Sequence, residues 1–238
     1  MHGPDRVCGT GAPSGRIEDT LGTVQELITP KLRGWLHAGM FPVCVLLGAL
    51  LVIRAPQGDT RWCVAVFAVT AALLFGTSAL YHCGHWTPRT SAVLQRVDHA
   101  NIFLIIAGTY TPFSVFLLSS GSARVLLWIV WSGAVLGGTF RVVWARAPRW
   151  LYVLVYMLLG WAALGYLRQF MTGGGLAVFI LVLSGGALYT VGALIYGLQH
   201  PDPSPQWFGF HEVFHVFTVL AFLTHYAGVL LAARSQIT

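Results

Sequence analysis

GFHEVFHVFTVLAFLTHYAGVLLAA, residues 209–233, carries two readings at once. His211, Glu212 and His215 fit the H-E-x-x-H pattern, in which two histidines one helical turn apart hold zinc and the glutamate acts as general base. The same stretch continues as a long apolar run. A helix that crosses a bilayer needs about 20 such residues, so the motif opens a candidate membrane span. Three readings stand: a protease motif inside a membrane, half of a different zinc site, or a coincidence.

The composition decides the class. The 238 residues are 56% hydrophobic and 9% charged, where a soluble domain carries roughly 25% charge. Seven apolar runs read as spans, at about 36–53, 62–82, 98–118, 125–143, 150–167, 176–198 and 210–231. The expected fold is an all-α integral membrane protein, a seven-transmembrane helix bundle with short loops, no second domain and no repeat. Arg and Lys orient it. With the N-terminus cytoplasmic, nine lie on inner segments and five on outer ones, which favours a cytoplasmic N-terminus and an exterior C-terminus. The net charge of +6 is scattered between the spans, so it is a topology signal and not a nucleic-acid surface.

Residues 1–33 are expected to be a cytoplasmic tail, 34–232 the membrane domain and 233–238 an exterior tail. Ile17, Leu21, Val24 and Ile28 recur at helical spacing and predict a short amphipathic helix over 16–29. No apolar segment of signal-peptide type opens the chain, so no cleaved leader is expected. Cys44, Cys63 and Cys83 fall in or beside apolar runs and read as buried thiols. The tryptophans cluster near span ends, as an aromatic belt does.

Ionisable groups inside spans are costly and point to function. His82 ends span two, Asp98 opens span three, and His211 and His215 open span seven. Counting spans puts all four at the cytoplasmic face. His211 and His215 lie about 40° apart around a helix and about 6 Å along it, so both can bind one ion. His82 would add a third nitrogen. Three protein ligands leave the open position that catalytic zinc keeps for water, and Asp98 is placed to deprotonate that water or to orient a histidine. Ser78, one turn before His82, could bond a ligand histidine, a substrate carbonyl or its own helix. Taken singly, each histidine reads as a satisfied core residue, and the convergence is what points to metal. His225 lies about 21 Å from His211 along the helix, too far to share the ion. His37 reads as interfacial, His85 as a loop residue, and His99 faces about 100° away from Asp98.

SALYH at 78–82, Asp98 within RVDHANIFLIIAGTYTPF, and GFHEVFHVFTVLAFLTHY together resemble the haemolysin III-like branch of the progestin and adipoQ receptor family, which includes the adiponectin receptors. The resemblance covers about residues 20–232. It implies seven helices with a cytoplasmic N-terminus and zinc held by His82, His211 and His215, with Asp98 beside the water. It also implies ceramidase-like hydrolysis of a lipid amide or ester. The family pattern asks only for H-x-x-x-H, so Glu212 falls outside it as a supporting residue.

The leading expectation is a multi-pass zinc hydrolase of the bacterial inner-membrane type, with a lipid or lipid-like substrate and Asp98 and Ser78 as its catalytic residues. The alternative is a receptor-like or pore-forming protein whose zinc is structural, closed by Asp98 as fourth ligand. Intramembrane proteolysis is the third reading.

Overall fold

A computed structural model of the chain describes Pro30, residues 32–144 and residues 147–236. The amphipathic helix expected over 16–29 lies outside them. In an apolar run the backbone has no water to bond, so it coils until its own carbonyls are satisfied. Among the described residues this gives α1 Trp35–Arg54, α2 Asp59–Cys83, α3 Pro88–Leu117, α4 Ser120–Val143, α5 Arg149–Gly160, a 3₁₀ segment Ala162–Tyr166, α6 Leu167–Leu198 and α7 Phe210–Arg234. Polar residues mark the starts. Thr87 caps α3 by accepting from the Thr90 N–H at 3.3 Å, with Pro88 in the first turn. Ser119 caps α4 in the same way.

Among the described residues, six stretches are long and apolar enough to cross a membrane: α1, α2, α3, α4, α7, and Arg149–Leu198 taken as one. The expectation of seven separate spans therefore meets six helical stretches. The difference lies where spans were expected at 150–167 and 176–198. α5 has only 12 residues, about 18 Å of helix, too short to cross alone. It runs through the 3₁₀ segment into α6 with no polar loop between. The backbone leaves helical geometry within α6 at Gly175, where φ is 69° and ψ is 176°. The 50-residue stretch is folded back on itself. The Arg149 guanidinium lies 5.3 Å from the Tyr196 ring centre, and Trp161 Nε1 donates to Thr190 Oγ1 at 3.0 Å. A straight helix would hold Arg149 and Tyr196 about 70 Å apart.

Small residues let the helices approach. A Cβ at Gly137 would strike the Phe103 ring, and one at Gly185 the His225 imidazole, whereas one at Gly138 would make only an ordinary contact with Ala100 and one at Gly186 would meet nothing. The outer faces are apolar: Ile53, Leu136, Val143 and Leu198 are each at least 70% exposed, as a lipid-facing surface requires. Of the cysteines expected to be buried, Cys44 and Cys63 are, but Cys83, the last residue of α2, is exposed.

Within α3, Thr111 Oγ1 donates to the Ala107 carbonyl at 2.9 Å and accepts from Trp131 Nε1 at 3.1 Å. This ties the turn before Pro112, which lacks its own N–H.

Candidate metal centre

One end of the bundle gathers residues from the start of α1, the end of α2, the first half of α3 and the start of α7. His82, His211 and His215 each offer a ligand atom, and these atoms all lie within 4.8 Å of one another. His211 Nε2 and His82 Nε2 are 3.3 Å apart. Two imidazole nitrogens bound at about 2.0–2.1 Å to a tetrahedral ion stand about 3.3–3.4 Å from each other. The spacing therefore suits two ligands of one ion. The donor set suits it too: three imidazoles in an apolar wall, with His215 only 2% exposed and its Nδ1 lacking a protein partner. These residues could hold a metal ion.

Asp98 is buried, with Oδ2 3.9 Å from His82 Nε2. Ser78, one turn before His82, is fully enclosed and faces Asp98. Its hydroxyl pairs with His37 Nδ1 at 2.7 Å, rather than with a ligand histidine. His37 corrects the sequence reading. Expected at the interface, it is 2% exposed and stacks on His215 with ring centres 3.8 Å apart. The signal lay in its register: His37, Met40, Cys44, Gly48 and Leu51 form the buried stripe of α1, so His37 shares the face that packs inward.

Glu212 is fully buried but committed elsewhere. Its Oε1 accepts from Arg33 Nε at 3.1 Å, and its Oε2 accepts from the Gly209 N–H at 2.8 Å. It caps α7 and pairs with the segment before α1, so both oxygens are occupied away from the histidine cluster. His85 is exposed in the α2–α3 loop. His99 turns away from the cluster, as its position beside Asp98 on the helix requires. Its Nδ1 accepts from Arg141 at 2.9 Å and its Nε2 pairs with the Tyr196 hydroxyl at 3.2 Å.

A cavity of about 140 Å³ opens from this cluster into the bundle. His37, Ser78, Asp98 and His211 line its head, and Phe113, Phe170 and His225 its far end. Asp98 and Phe113 are fifteen residues apart on α3, which makes the cavity about 20 Å long. Among the described residues no Lys or Arg lines it.

With this arrangement in hand, the similarities to known proteins acquire a meaning. A family model described as haemolysin-III related matches residues 25–226, which include every residue of the cluster. The hemolysin-3 of Bacillus cereus is 35% identical over 153 residues, covering 62% of this chain and 68% of that protein. A hemolysin-3 homolog of Bacillus subtilis is 33% identical over 149 residues, covering 61% and 70%. Heptahelical transmembrane protein 1 of Arabidopsis thaliana is 26% identical over 217 residues, covering 82% of this chain and 61% of that protein. A multi-pass helical membrane chain with three clustered histidines, matched over most of its length, belongs to the haemolysin III-related family.

Proposed function

We propose that this protein is a zinc-dependent membrane hydrolase of a lipid amide or ester. The observation that carries the reading is a three-histidine cluster with a buried carboxylate at the head of a long apolar cavity. Zinc on His82, His211 and His215 would supply a polarised carbonyl and a nucleophilic water. The Asp98 gap favours an open position over a closed four-ligand site. At 3.9 Å from His82 Nε2, the carboxylate stands wider than the about 3.3 Å edge of a tetrahedral shell.

The chain's own residues then do the following. Asp98 takes the proton from the attacking water and later hands it to the leaving nitrogen or oxygen, as a carbon–oxygen bond forms and the scissile bond breaks. Ser78, held by His37, keeps the carboxylate aimed at that water. His37 stacks on His215 and fixes its ring. The apolar walls take the lipid chain and exclude bulk water.

The chain crosses the membrane seven times, on this reading, with the Arg149–Leu198 stretch crossing twice and turning at Gly175. Its fold-back and the heptahelical name of one relative support this. The metal end lies at the cytoplasmic face of a bacterial-type cell membrane, from the Arg and Lys bias.

The relatives' printed name, hemolysin-3, favours a second reading: a pore-forming or receptor-like protein in which the metal is structural. The deciding experiment assays zinc-loaded protein in bilayers on ceramide-like amides and lipid esters. Turnover by the wild type is expected, falling roughly 10²–10⁴-fold in Asp98→Asn with zinc retained. No turnover of any lipid, with Asp98 as a fourth zinc ligand, would favour the structural reading.

A further inference from the structure

Three buried polar atoms toward the far end of the cavity have no protein partner: His225 Nδ1, the Tyr189 hydroxyl and Thr109 Oγ1. All three residues line the cavity, and they come from α7, α6 and α3. His225 and Thr109 are each 7% exposed. His225 is ten residues beyond His215 on α7, and Thr109 eleven beyond Asp98 on α3. Both therefore lie about 15 Å from the metal centre. The Tyr189 and His225 rings are 5.7 Å apart. The proposed hydrolysis uses none of them.

A histidine in an apolar helix has a plain structural role when its ring is tied to the backbone. His225 meets only half of that role. Its Nε2 lies 3.1 Å from the Val182 carbonyl. A carbonyl only accepts, so Nε2 carries the ring proton, and the neutral tautomer presents Nδ1 as an acceptor. Leaving that acceptor buried without a donor is costly, and an apolar ring would fill the space without the cost. The fold has made room for a ring at this position, since any Cβ at Gly185 would collide with it. The Tyr189 hydroxyl poses the same problem, and Phe would pack as well. An acceptor beside a hydroxyl complements a neutral group that both donates and accepts, and on an apolar chain the simplest such group is a hydroxyl that donates to Nδ1 and accepts from Tyr189. With no Lys or Arg lining the cavity among the described residues, a carboxylate or phosphate has no counter-charge there.

We propose that this end of the cavity is a recognition subsite for a neutral hydroxyl carried on the apolar body of an amphiphilic ligand. Each carbon of an extended alkyl chain advances somewhat less than its ~1.5 Å bond length. The hydroxyl would thus sit about twelve carbons from the head held at the metal centre. The subsite rests on the cavity wall and not on the hydrolytic reading. A ligand bound and never cleaved would use it equally.

The test measures binding to the full-length, zinc-loaded protein in nanodiscs. The probes are a saturated long-chain fatty acid, its counterpart hydroxylated about twelve carbons from the carboxyl, and one hydroxylated about six carbons from it. The first hydroxylated acid should bind about fivefold more tightly than the plain one, and the second should gain nothing. The affinity ratio should fall to about one in Tyr189→Phe and in His225→Phe, and Tyr189→Phe alone carries the test if His225→Phe does not fold. Equal affinities in the wild type, a preference that survives these variants, or no binding of either acid would overturn the subsite. Because no turnover is read, an inactive protein with the preference intact would sink the hydrolase reading and leave the subsite standing.

Discussion

His82, His211 and His215 could hold a metal because each offers a ring nitrogen that the apolar wall cannot satisfy. Replacing any one by Ala should cost the purified protein most of its bound zinc, measured by metal analysis. Full zinc content in His82→Ala would remove that residue from the ligand set. Chelation of the wild type should lower its thermal midpoint in detergent, because an ion that binds only the folded chain adds to its stability. Glu212, three residues short of His215, behaves differently. Its carboxylate answers Arg33 and the Gly209 N–H, so Glu212→Gln should lower stability by about 1–3 kcal/mol. The folded fraction should turn over lipid nearly as fast as the wild type. Asp98→Asn should show the reverse pattern, with stability kept and turnover lost. A larger loss of turnover in Glu212→Gln than in Asp98→Asn would restore the protease reading of HEVFH.

At the scale of the element, the fold-back of Arg149–Leu198 depends on one residue with positive φ. Gly175 adopts φ 69° with ψ 176°, a region essentially reserved for glycine, which a Cβ makes costly by about 1–3 kcal/mol. Gly175→Ala should therefore lower the thermal midpoint of the purified protein. Gly165→Ala is the comparison: no atom stands within 4 Å of its added Cβ, so it should cause no loss. Equal effects from the two would mean that the turn does not need glycine. The 3₁₀ segment before α6 matters in another way. Ala163 N–H and the Gly160 carbonyl both bond the Tyr110 hydroxyl, at 3.1 and 2.6 Å. One side chain of α3 thus satisfies backbone groups that the interruption of helix leaves over.

For the whole molecule, the number of crossings is open to direct measurement. With Cys8 and Cys83 replaced, Thr172→Cys should label with a membrane-impermeant reagent from outside the cell, and Gln206→Cys only from inside. Labelling of both from one side would overturn the double crossing of Arg149–Leu198. Much of this architecture was legible in the sequence. Composition and the length of the apolar runs together pointed to a membrane helix bundle, since backbone polar groups in lipid must be satisfied internally and runs of about 20 apolar residues suit helices. Counting runs placed His82, Asp98, His211 and His215 at one end, because alternating crossings bring the ends of distant segments to one face. What the count could not supply was rotation and pairing about each helix axis, which packing sets. His37 looked interfacial by position yet turns inward against His215. Glu212 sat inside a catalytic-looking motif yet pairs with Arg33, 179 residues away in the chain. The cavity that joins His211 to His225 is a gap between helices, and no single run of sequence encodes a gap. Residue type and period thus set the class, the helices and the end at which the three clustered histidines meet. Only tertiary packing decided which polar groups face each other there and which were left facing the cavity.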